Sequence, residues 1–225
     1  MYYCQSCDNP VAMEPGDGRP VCPACGRPDD LAALTPKPLF VVTGASGSGK
    51  TAVYAPLARR LAGRCVTFDA DMLMDAAGAL SRGKPIDWPA FLDAWLAVAH
   101  GVAQSGMPAV LLGPYVPEYL EDSAGRKWIG DIHFIALDCP DELRRSRINA
   151  RPAWRGRDIE AQVEFGQWLR RNIAELVDTG SGTPQDTAAA IASWVERRLA
   201  AEQRGYNLPV RKVCISGKIV LAWWV

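Results

Sequence analysis

Residues 39–51 read LFVVTGASGSGKT, and this segment decides the fold of the chain. The first five residues are apolar or β-branched, which is typical of a short buried strand in a parallel sheet. The next eight match the pattern G-x4-G-K-[ST], and a helical stretch follows from Thr51 to about Leu61. A strand, a glycine-rich loop and a helix in this order predict a P-loop, which binds the phosphates of a nucleotide.

The P-loop pattern predicts a task for each part of the segment. Its glycines let successive backbone N–H groups face the phosphates, and the helix N-terminus adds its positive end. Lys50 is expected to reach the β- and γ-phosphates, and the Thr51 hydroxyl is expected to bind Mg²⁺. The predicted cofactors are ATP and Mg²⁺, and the predicted binding residues of the loop are Gly44, Ser46, Gly47, Ser48, Gly49, Lys50 and Thr51.

The strands that follow narrow the choice among P-loop proteins. The second predicted strand, residues 64–68, ends in Asp69-Ala70-Asp71, which places two carboxylates beside the P-loop. The third, residues 109–112, ends in Gly113 and lacks the Asp-Glu pair of AAA-type and motor ATPases. The Asn-Lys-x-Asp sequence with which GTPases select guanine is also missing from the chain.

With these features the chain resembles the shikimate kinase-like and nucleotide kinase-like group of small P-loop phosphotransferases, over roughly residues 38–200. The resemblance rests on the P-loop, residues 68–71, the glycine after strand three, residues 143–145, Arg151-Pro152 and residues 177–179. It implies an α/β fold: a five-stranded parallel sheet in the order 2-3-1-4-5, with helices on both faces and a mobile lid. It also implies an ATP-dependent kinase.

The two strand-end carboxylates have alternative roles. By the resemblance, Asp69 lies on the metal side and Asp71 meets the hydroxyl of the acceptor. Related antibiotic and polynucleotide kinases use one acid at this strand end, which would instead make Asp69 the base. Either carboxylate could orient a hydroxyl and accept its proton late in phosphoryl transfer. Each acid could also be a helix N-cap, a position that Asp favours.

Six arginines lie between residues 144 and 157, which indicates a surface that faces anions. By the resemblance, Arg151 is the lid arginine that closes on the β- and γ-phosphates. Either Arg144 or Arg145 would pack against adenine. Thr179, at the end of the fifth predicted strand, is either a nucleotide contact or a structural residue. The predicted catalytic set is therefore Lys50, Asp69, Asp71 and Arg151.

The acceptor is expected to bind between the second and third strand ends, beneath residues 72–104. Arg82 lies in a polar basic loop of that segment, and the ring of Tyr115 would suit a ring-bearing acceptor. Arg170 resembles a substrate-contacting arginine of shikimate kinases. The predicted acceptor-binding residues are Asp71, Arg82, Gly113, Tyr115 and Arg170.

Four cysteines near the N-terminus predict a structural zinc site. Cys4 and Cys7 form one C-x2-C pair, and Cys22 and Cys25 form a second pair after fourteen residues. Two such pairs complete a tetrahedral Zn²⁺ shell that has no open position for a substrate. The predicted domains are a zinc ribbon with its linker (1–35), a P-loop kinase domain (36–203) and a C-terminal tail of unknown role (204–225).

Composition excludes several classes of protein. The chain has 225 residues, of which 48% are apolar and 22% charged, so it can form a packed core. Its 25 basic and 25 acidic side chains balance, and residues 1–30 hold five acidic and two basic ones. Both features disfavour nucleic-acid binding. No apolar run approaches the roughly 20 residues of a membrane span, and we expect a cytoplasmic protein.

The sequence therefore predicts the transfer of the ATP γ-phosphate to a hydroxyl of a small molecule, such as a nucleoside or an antibiotic. One alternative is a regulatory nucleotide switch that docks a protein partner through the ribbon. Another is a polynucleotide end kinase that uses the ribbon to hold RNA. The apolar end of the tail could join two copies of the chain into a homo-oligomer.

Overall fold

Three short antiparallel strands lie near the N-terminus: β1 (Tyr2–Cys4), β2 (Asn9–Val11) and β3 (Leu31–Ala33), in the order β2-β1-β3. The structure, a computed structural model, describes residues 2–4, 9–11, 22–26, 31–33, 36–74, 85–152, 158–206, 213–215 and 218–220. Residues 22–26 form a turn in which the Gly26 N–H donates to the Cys22 carbonyl at 2.7 Å.

Five parallel strands form the central sheet. They are β4 (Leu39–Thr43), β5 (Val66–Asp69), β6 (Ala109–Gly113), β7 (Ile132–Asp138) and β8 (Leu176–Asp178). Their order is β5-β6-β4-β7-β8, which is 2-3-1-4-5 when the strands of this sheet are counted along the chain. The predicted fold class and strand order are therefore confirmed. The carboxyl ends of these parallel strands, which carry the predicted site, meet at one edge of the sheet.

The helices connect these strands and cover the sheet. They are α1 (Lys50–Leu61), α2 (Trp88–Gln104), α3 (Pro117–Glu121), α4 (Asp141–Asn149), α5 (Ile159–Asn172) and α6 (Pro184–Tyr206), with 3₁₀ helices at Ala70–Leu73 and Ala124–Trp128. A hairpin of β9 (Val213–Ile215) and β10 (Lys218–Val220) follows. None of the described helices combines the length and the apolarity that crossing a bilayer requires.

The core has two layers because side chains alternate along β4. Phe40 and Val42 face α1 and α6, where the Phe40 ring meets that of Trp194 edge-on at 5.5 Å. Leu39 and Val41 face the opposite layer, formed mainly by α2. Residues two apart on a strand share a face, so one short apolar strand anchors both layers. All five residues of β4 are buried, as expected for a central parallel strand.

Helix α6 begins with a cap formed by residues close together in sequence. The Thr183 hydroxyl accepts a hydrogen bond from the Asp186 N–H at 3.2 Å, and the Asp186 carboxylate accepts one from the Thr183 N–H at 2.9 Å. This reciprocal pair is a capping box, and Pro184 occupies the first helical position. The cap fixes residues 182–184 at the edge of the sheet where the P-loop lies.

Candidate active site

A cavity of about 610 Å³ opens at the carboxyl edge of the sheet. It is lined by the P-loop and the first residues of α1 (46–53), by Asp71 and Pro114, by Arg147 and Arg151, and by Thr179, Gly182, Thr183, Pro184 and Thr187. The cavity therefore joins the P-loop to the strand-end carboxylate on one side and to the start of α6 on the other.

The P-loop has the backbone shape that its glycines predict. Gly47 and Gly49 have φ angles of 80° and 94°, in the left-handed region that favours glycine. A Cβ at Gly47 would also lie 3.2 Å from both Arg144 Cγ and Ile148 Cγ1. Gly49 is the N-cap residue of α1, so the loop delivers the chain directly into the helix N-terminus beside the cavity.

Lys50 lies against the loop that it follows. Its ammonium group donates to the Gly44 carbonyl and, at 3.2 Å, to the Ala45 carbonyl. Burial lowers the pKa of Lys50 to about 8, and the nearby carboxylates of Asp71 and Asp69 counteract part of that effect. A phosphate placed beside the ammonium group would favour its charged form, so nucleotide binding and protonation of Lys50 are coupled.

This coupling predicts that ATP affinity depends on pH. The pKa of Lys50 is about 8 in the free protein and higher with phosphates bound, so binding takes up a proton once the pH exceeds 8. The contribution of Lys50 to the affinity should be constant below pH 7 and about tenfold smaller at pH 9. Calorimetry with a non-hydrolysable ATP analogue between pH 6.5 and 9.5 measures this. Lys50→Arg, which stays charged, should show no such fall; a flat wild-type profile to pH 9.5 contradicts the coupling.

The two strand-end carboxylates differ in their surroundings. Asp69 is half-buried and caps the 3₁₀ helix that follows β5, where its Oδ1 accepts from the Asp71 N–H at 3.1 Å. The N-cap interpretation therefore holds for Asp69. Asp71 is exposed and lines the cavity. Asp71 is thus the carboxylate that faces the cavity, and Asp69 fixes the backbone that presents it.

The ring of Tyr115 leaves no room for a side chain at Gly113, the last residue of β6. A Cβ at Gly113 would lie 2.8 Å from Tyr115 Cδ2 and 3.1 Å from Ala70 Cβ, so the ring packs directly on the glycine. Tyr115 is only 7% exposed, and its hydroxyl has no hydrogen-bond partner among the described residues. Burial raises the pKa of Tyr115, and the charges of Asp71 and Asp69 add to this. Tyr115 therefore packs inside the protein, and its predicted contact with a ring-bearing acceptor stays a prediction.

Neither arginine predicted for the adenine face lies there. The Arg144 side chain is fully buried behind the P-loop, where it pairs with Asp138 at 2.6 Å. Arg145 lies on the outer side of α4 and pairs with Glu160 at 2.6 Å. Adjacent helix positions point about 100° apart, so Arg145 points away from the interior in which Arg144 is buried. The predicted adenine contacts of Arg144 and Arg145 are wrong.

Arg147 is the residue of this helix that the prediction missed. It lines the cavity, and its guanidinium donates to the Thr179 carbonyl at 2.7 Å and to the Gly47 carbonyl at 3.2 Å. The Thr179 hydroxyl in turn lies 2.9 Å from the Ser48 carbonyl. Arg151 follows four residues later and also lines the cavity. Arg147 lies in the last turn of α4, and Arg151 lies just beyond its C-cap, Ala150, where its N–H donates to the Ile148 carbonyl at 3.1 Å.

Arg170 does not lie at the acceptor side of the site. Its guanidinium pairs with Asp138 and Asp141 and donates to the Cys139 carbonyl at 2.9 Å. These hydrogen bonds raise the pKa of Arg170 and lower that of Asp141. The predicted substrate contact of Arg170 is wrong, because the end of α5 packs against the start of α4 and the end of β7.

Gly166 on α5 makes room for the buried guanidinium, since a Cβ there would lie 2.7 Å from Arg144 Nη2. Gly166→Ala should therefore lower the free energy of unfolding by about 2 kcal/mol, because it disturbs a buried ion pair. Gly101→Ala is the matched control: Gly101 lies within α2 with open space where a Cβ would be added, and alanine should add about 0.5–1 kcal/mol. Urea unfolding measures both, and a Gly166→Ala protein as stable as wild type contradicts the packing argument.

Arg82, Cys7 and the side chain of Cys4 lie outside the described residues. Cys22 is buried and Cys25 exposed, on the turn that Gly26 closes. Within the part of the chain that the structure describes, no group of three or more His, Cys, Asp or Glu side chains is arranged to hold a metal ion.

The comparisons with known proteins agree with this architecture. A family model described as an AAA domain matches residues 39–176. A sugar kinase from Janibacter sp. HTCC2649 is 21% identical, with a TM-score of 0.54 over 72% of this chain and 95% of its own. The tunicamycin resistance protein of Deinococcus radiodurans is 20% identical, with a TM-score of 0.55 over 71% of this chain and 95% of its own. At these identities the likeness concerns the fold. No curated protein matches the sequence.

Proposed function

The chain belongs to the AAA domain family, although β6 ends in Gly113 without the Asp-Glu pair of AAA-type ATPases, and we propose that it is an ATP-dependent phosphotransferase. It would move the γ-phosphate to a hydroxyl group of a small molecule. The observation that carries the proposal is the convergence of Lys50, Asp71 and Arg151 on one cavity. Phosphoryl transfer requires charge neutralisation around the phosphates and a group that orients the attacking hydroxyl. The two cations suit the first task, and the carboxylate suits the second.

The P-loop would hold the β- and γ-phosphates of ATP. Lys50 would exchange its contacts with the Gly44 and Ala45 carbonyls for phosphate oxygens, whose negative charge favours the charged form of the buried ammonium group. Thr51, exposed in the first turn of α1 and lining the cavity, fits a role in holding the Mg²⁺ that accompanies ATP. Arg151, whose charge also acts on Lys50, would neutralise charge that develops on the transferred group.

Asp71 would orient the hydroxyl of the acceptor and take up its proton late in the reaction. Its exposure and its position in the cavity wall support this role, as does the cap by which Asp69 holds its backbone. Asp69 lies behind Asp71. From there its half-buried carboxylate would influence Mg²⁺ without binding the ion directly. Loss of the Asp71 carboxylate should therefore affect the chemical step, and loss of the Asp69 carboxylate the metal requirement.

The base of the nucleotide would lie toward α6. Arg147, Thr179 and residues 182–184 line that end of the cavity, and the flat guanidinium of Arg147 suits a contact with an aromatic base. Gly182 has a φ angle of 76°, which lets the chain turn closely past this end before the capping box begins. This arrangement would replace the predicted contact of Arg144 or Arg145.

The acceptor would enter on the side of Asp71 and Pro114, at the opposite end of the cavity. To identify it, the full chain is incubated with γ-labelled ATP and separate pools of nucleosides, sugars, antibiotics and RNA 5′-ends. Label in one of the small-molecule pools is the expected result. Label on RNA ends favours the polynucleotide kinase instead, and label only in inorganic phosphate favours the regulatory switch.

The N-terminal cysteines would bind one structural Zn²⁺. Cys22 and Cys25 fit this, because the hydrogen bond from the Gly26 N–H to the Cys22 carbonyl closes a tight turn that carries both thiols. The purified full chain should contain one zinc per molecule by atomic emission, and Cys22→Ser should lose it. Cys65→Ala, which changes a buried cysteine of the core, should keep the metal. A folded native protein without zinc contradicts the ribbon.

A further inference from the structure

The backbone of Ser46 in the P-loop forms two hydrogen bonds with side chains from outside the loop. The Ser46 N–H donates to Gln162 Oε1 at 2.7 Å, although the two residues are 116 positions apart. The Ser46 carbonyl accepts from Arg144 Nη1 at 3.3 Å. Gln162 belongs to α5 and Arg144 to α4, so two separate helices fix one part of the loop that lines the cavity.

The contact by Gln162 is part of a continuous helix face. Gln162, Gly166 and Arg170 are four residues apart on α5 and therefore lie on one side of it. Gln162 reaches Ser46, Gly166 accommodates the guanidinium of Arg144, and Arg170 pairs with Asp138. This face thus runs along the back of the P-loop and the end of β7, and Gln162 is its member nearest to the phosphate site.

A neutral amide is well suited to this position. The N–H groups of a P-loop bind phosphates best when the loop already has its bound shape, because less conformational entropy is lost on binding. An amide oxygen satisfies the Ser46 N–H without bringing a negative charge to a site that must receive phosphates. A glutamate would make the same hydrogen bond but repel the ligand.

We propose that Gln162 is a positioning residue of the phosphate site, which acts through the Ser46 N–H to keep the P-loop in its phosphate-binding shape. The inference rests on the proposed function only in taking ATP as the ligand of the cavity. Gln162 should affect the affinity only of ligands that carry phosphates. It contacts the loop that receives phosphates and not the part of the cavity near α6.

The test compares Gln162→Leu with Gln167→Leu in the full chain. Leucine at 162 removes the acceptor of the Ser46 N–H while keeping a side chain of similar length. Gln167 lies on the same helix and donates to Asp141 at 2.9 Å, so its replacement removes one hydrogen bond without touching the P-loop. Calorimetry measures the affinity for a non-hydrolysable ATP analogue and for adenosine, and thermal unfolding verifies that each variant is folded.

Gln162→Leu should bind the ATP analogue about tenfold more weakly than wild type, the order expected for one lost hydrogen bond that orders a loop. Adenosine affinity should stay within twofold, and Gln167→Leu should match wild type for both ligands. If Gln162→Leu does not fold, Gln162→Ala takes its place. An unchanged affinity for the ATP analogue, or an equal loss for adenosine, overturns the inference. Absence of ATP-analogue binding by the wild type instead overturns the proposed function.

Discussion

Lys50→Ala is expected to reduce phosphoryl transfer by about 10³-fold or more while the protein stays folded. The ammonium group is the positive charge nearest to the loop carbonyls of Gly44 and Ala45, at the position where the β- and γ-phosphates are proposed to bind. Removing one preorganised charge from a transition state of this kind costs several kcal/mol. The initial rate of transfer from γ-labelled ATP, at saturating ATP and acceptor, measures the loss.

The fold should tolerate this change because burial works against the charge of Lys50, as its lowered pKa of about 8 indicates. Thermal unfolding of Lys50→Ala should therefore resemble that of wild type. Arg59→Ala is the matched control, since Arg59 is an exposed cation in the last turn of the same helix. Near-full turnover by a folded Lys50→Ala protein is incompatible with the P-loop site.

Asp71→Asn is expected to reduce kcat by about 10²–10⁴-fold, the usual cost of losing one general base. Asp71 is the exposed carboxylate in the cavity wall, and the amide keeps its size but cannot accept the proton of the hydroxyl. Affinity for the ATP analogue should change little, because the charge removed is on the acceptor side. Steady-state kinetics at saturating ATP, with binding measured separately, distinguishes the two effects.

Asp69→Asn is the matched comparison, and it should raise the Mg²⁺ concentration needed for half-maximal rate. Asparagine still accepts the Asp71 N–H, so the cap that Asp69 provides is kept while its charge is lost. A Mg²⁺ titration of both variants at saturating ATP decides between the roles. If Asp69→Asn is slow at every Mg²⁺ concentration and Asp71→Asn is nearly silent, Asp69 is the base.

The fold could be predicted because its main signals are local. The apolar run of β4, the glycines at 47 and 49 and the start of α1 lie within 13 consecutive residues, and their order along the chain permits few architectures. The capping box at Thr183 and Asp186 is equally local, since both partners lie within one helical turn. Physical constraints that act over a few residues can be inferred from sequence without knowledge of the folded chain.

The parts of the site that could not be predicted depend on contacts between distant residues. Arg144 and Arg147 are three positions apart on one helix, and only the position of Asp138 and Gly166 determines that the first is buried. Tyr115 offers an aromatic ring in the sequence, but its packing on Gly113 conceals that ring. An arginine that contacts the nucleotide and one that forms an ion pair inside the protein look the same in the sequence. Composition alone therefore cannot distinguish them.

The most direct test of the proposed activity is the phosphate balance of the reaction. The full chain is incubated with γ-labelled ATP and the acceptor found in the small-molecule pools, and ADP, labelled acceptor and inorganic phosphate are quantified together. The account predicts one labelled acceptor for each ADP formed, with both products lost in Lys50→Ala. ADP formation that is independent of acceptor, with all label in inorganic phosphate, would contradict it.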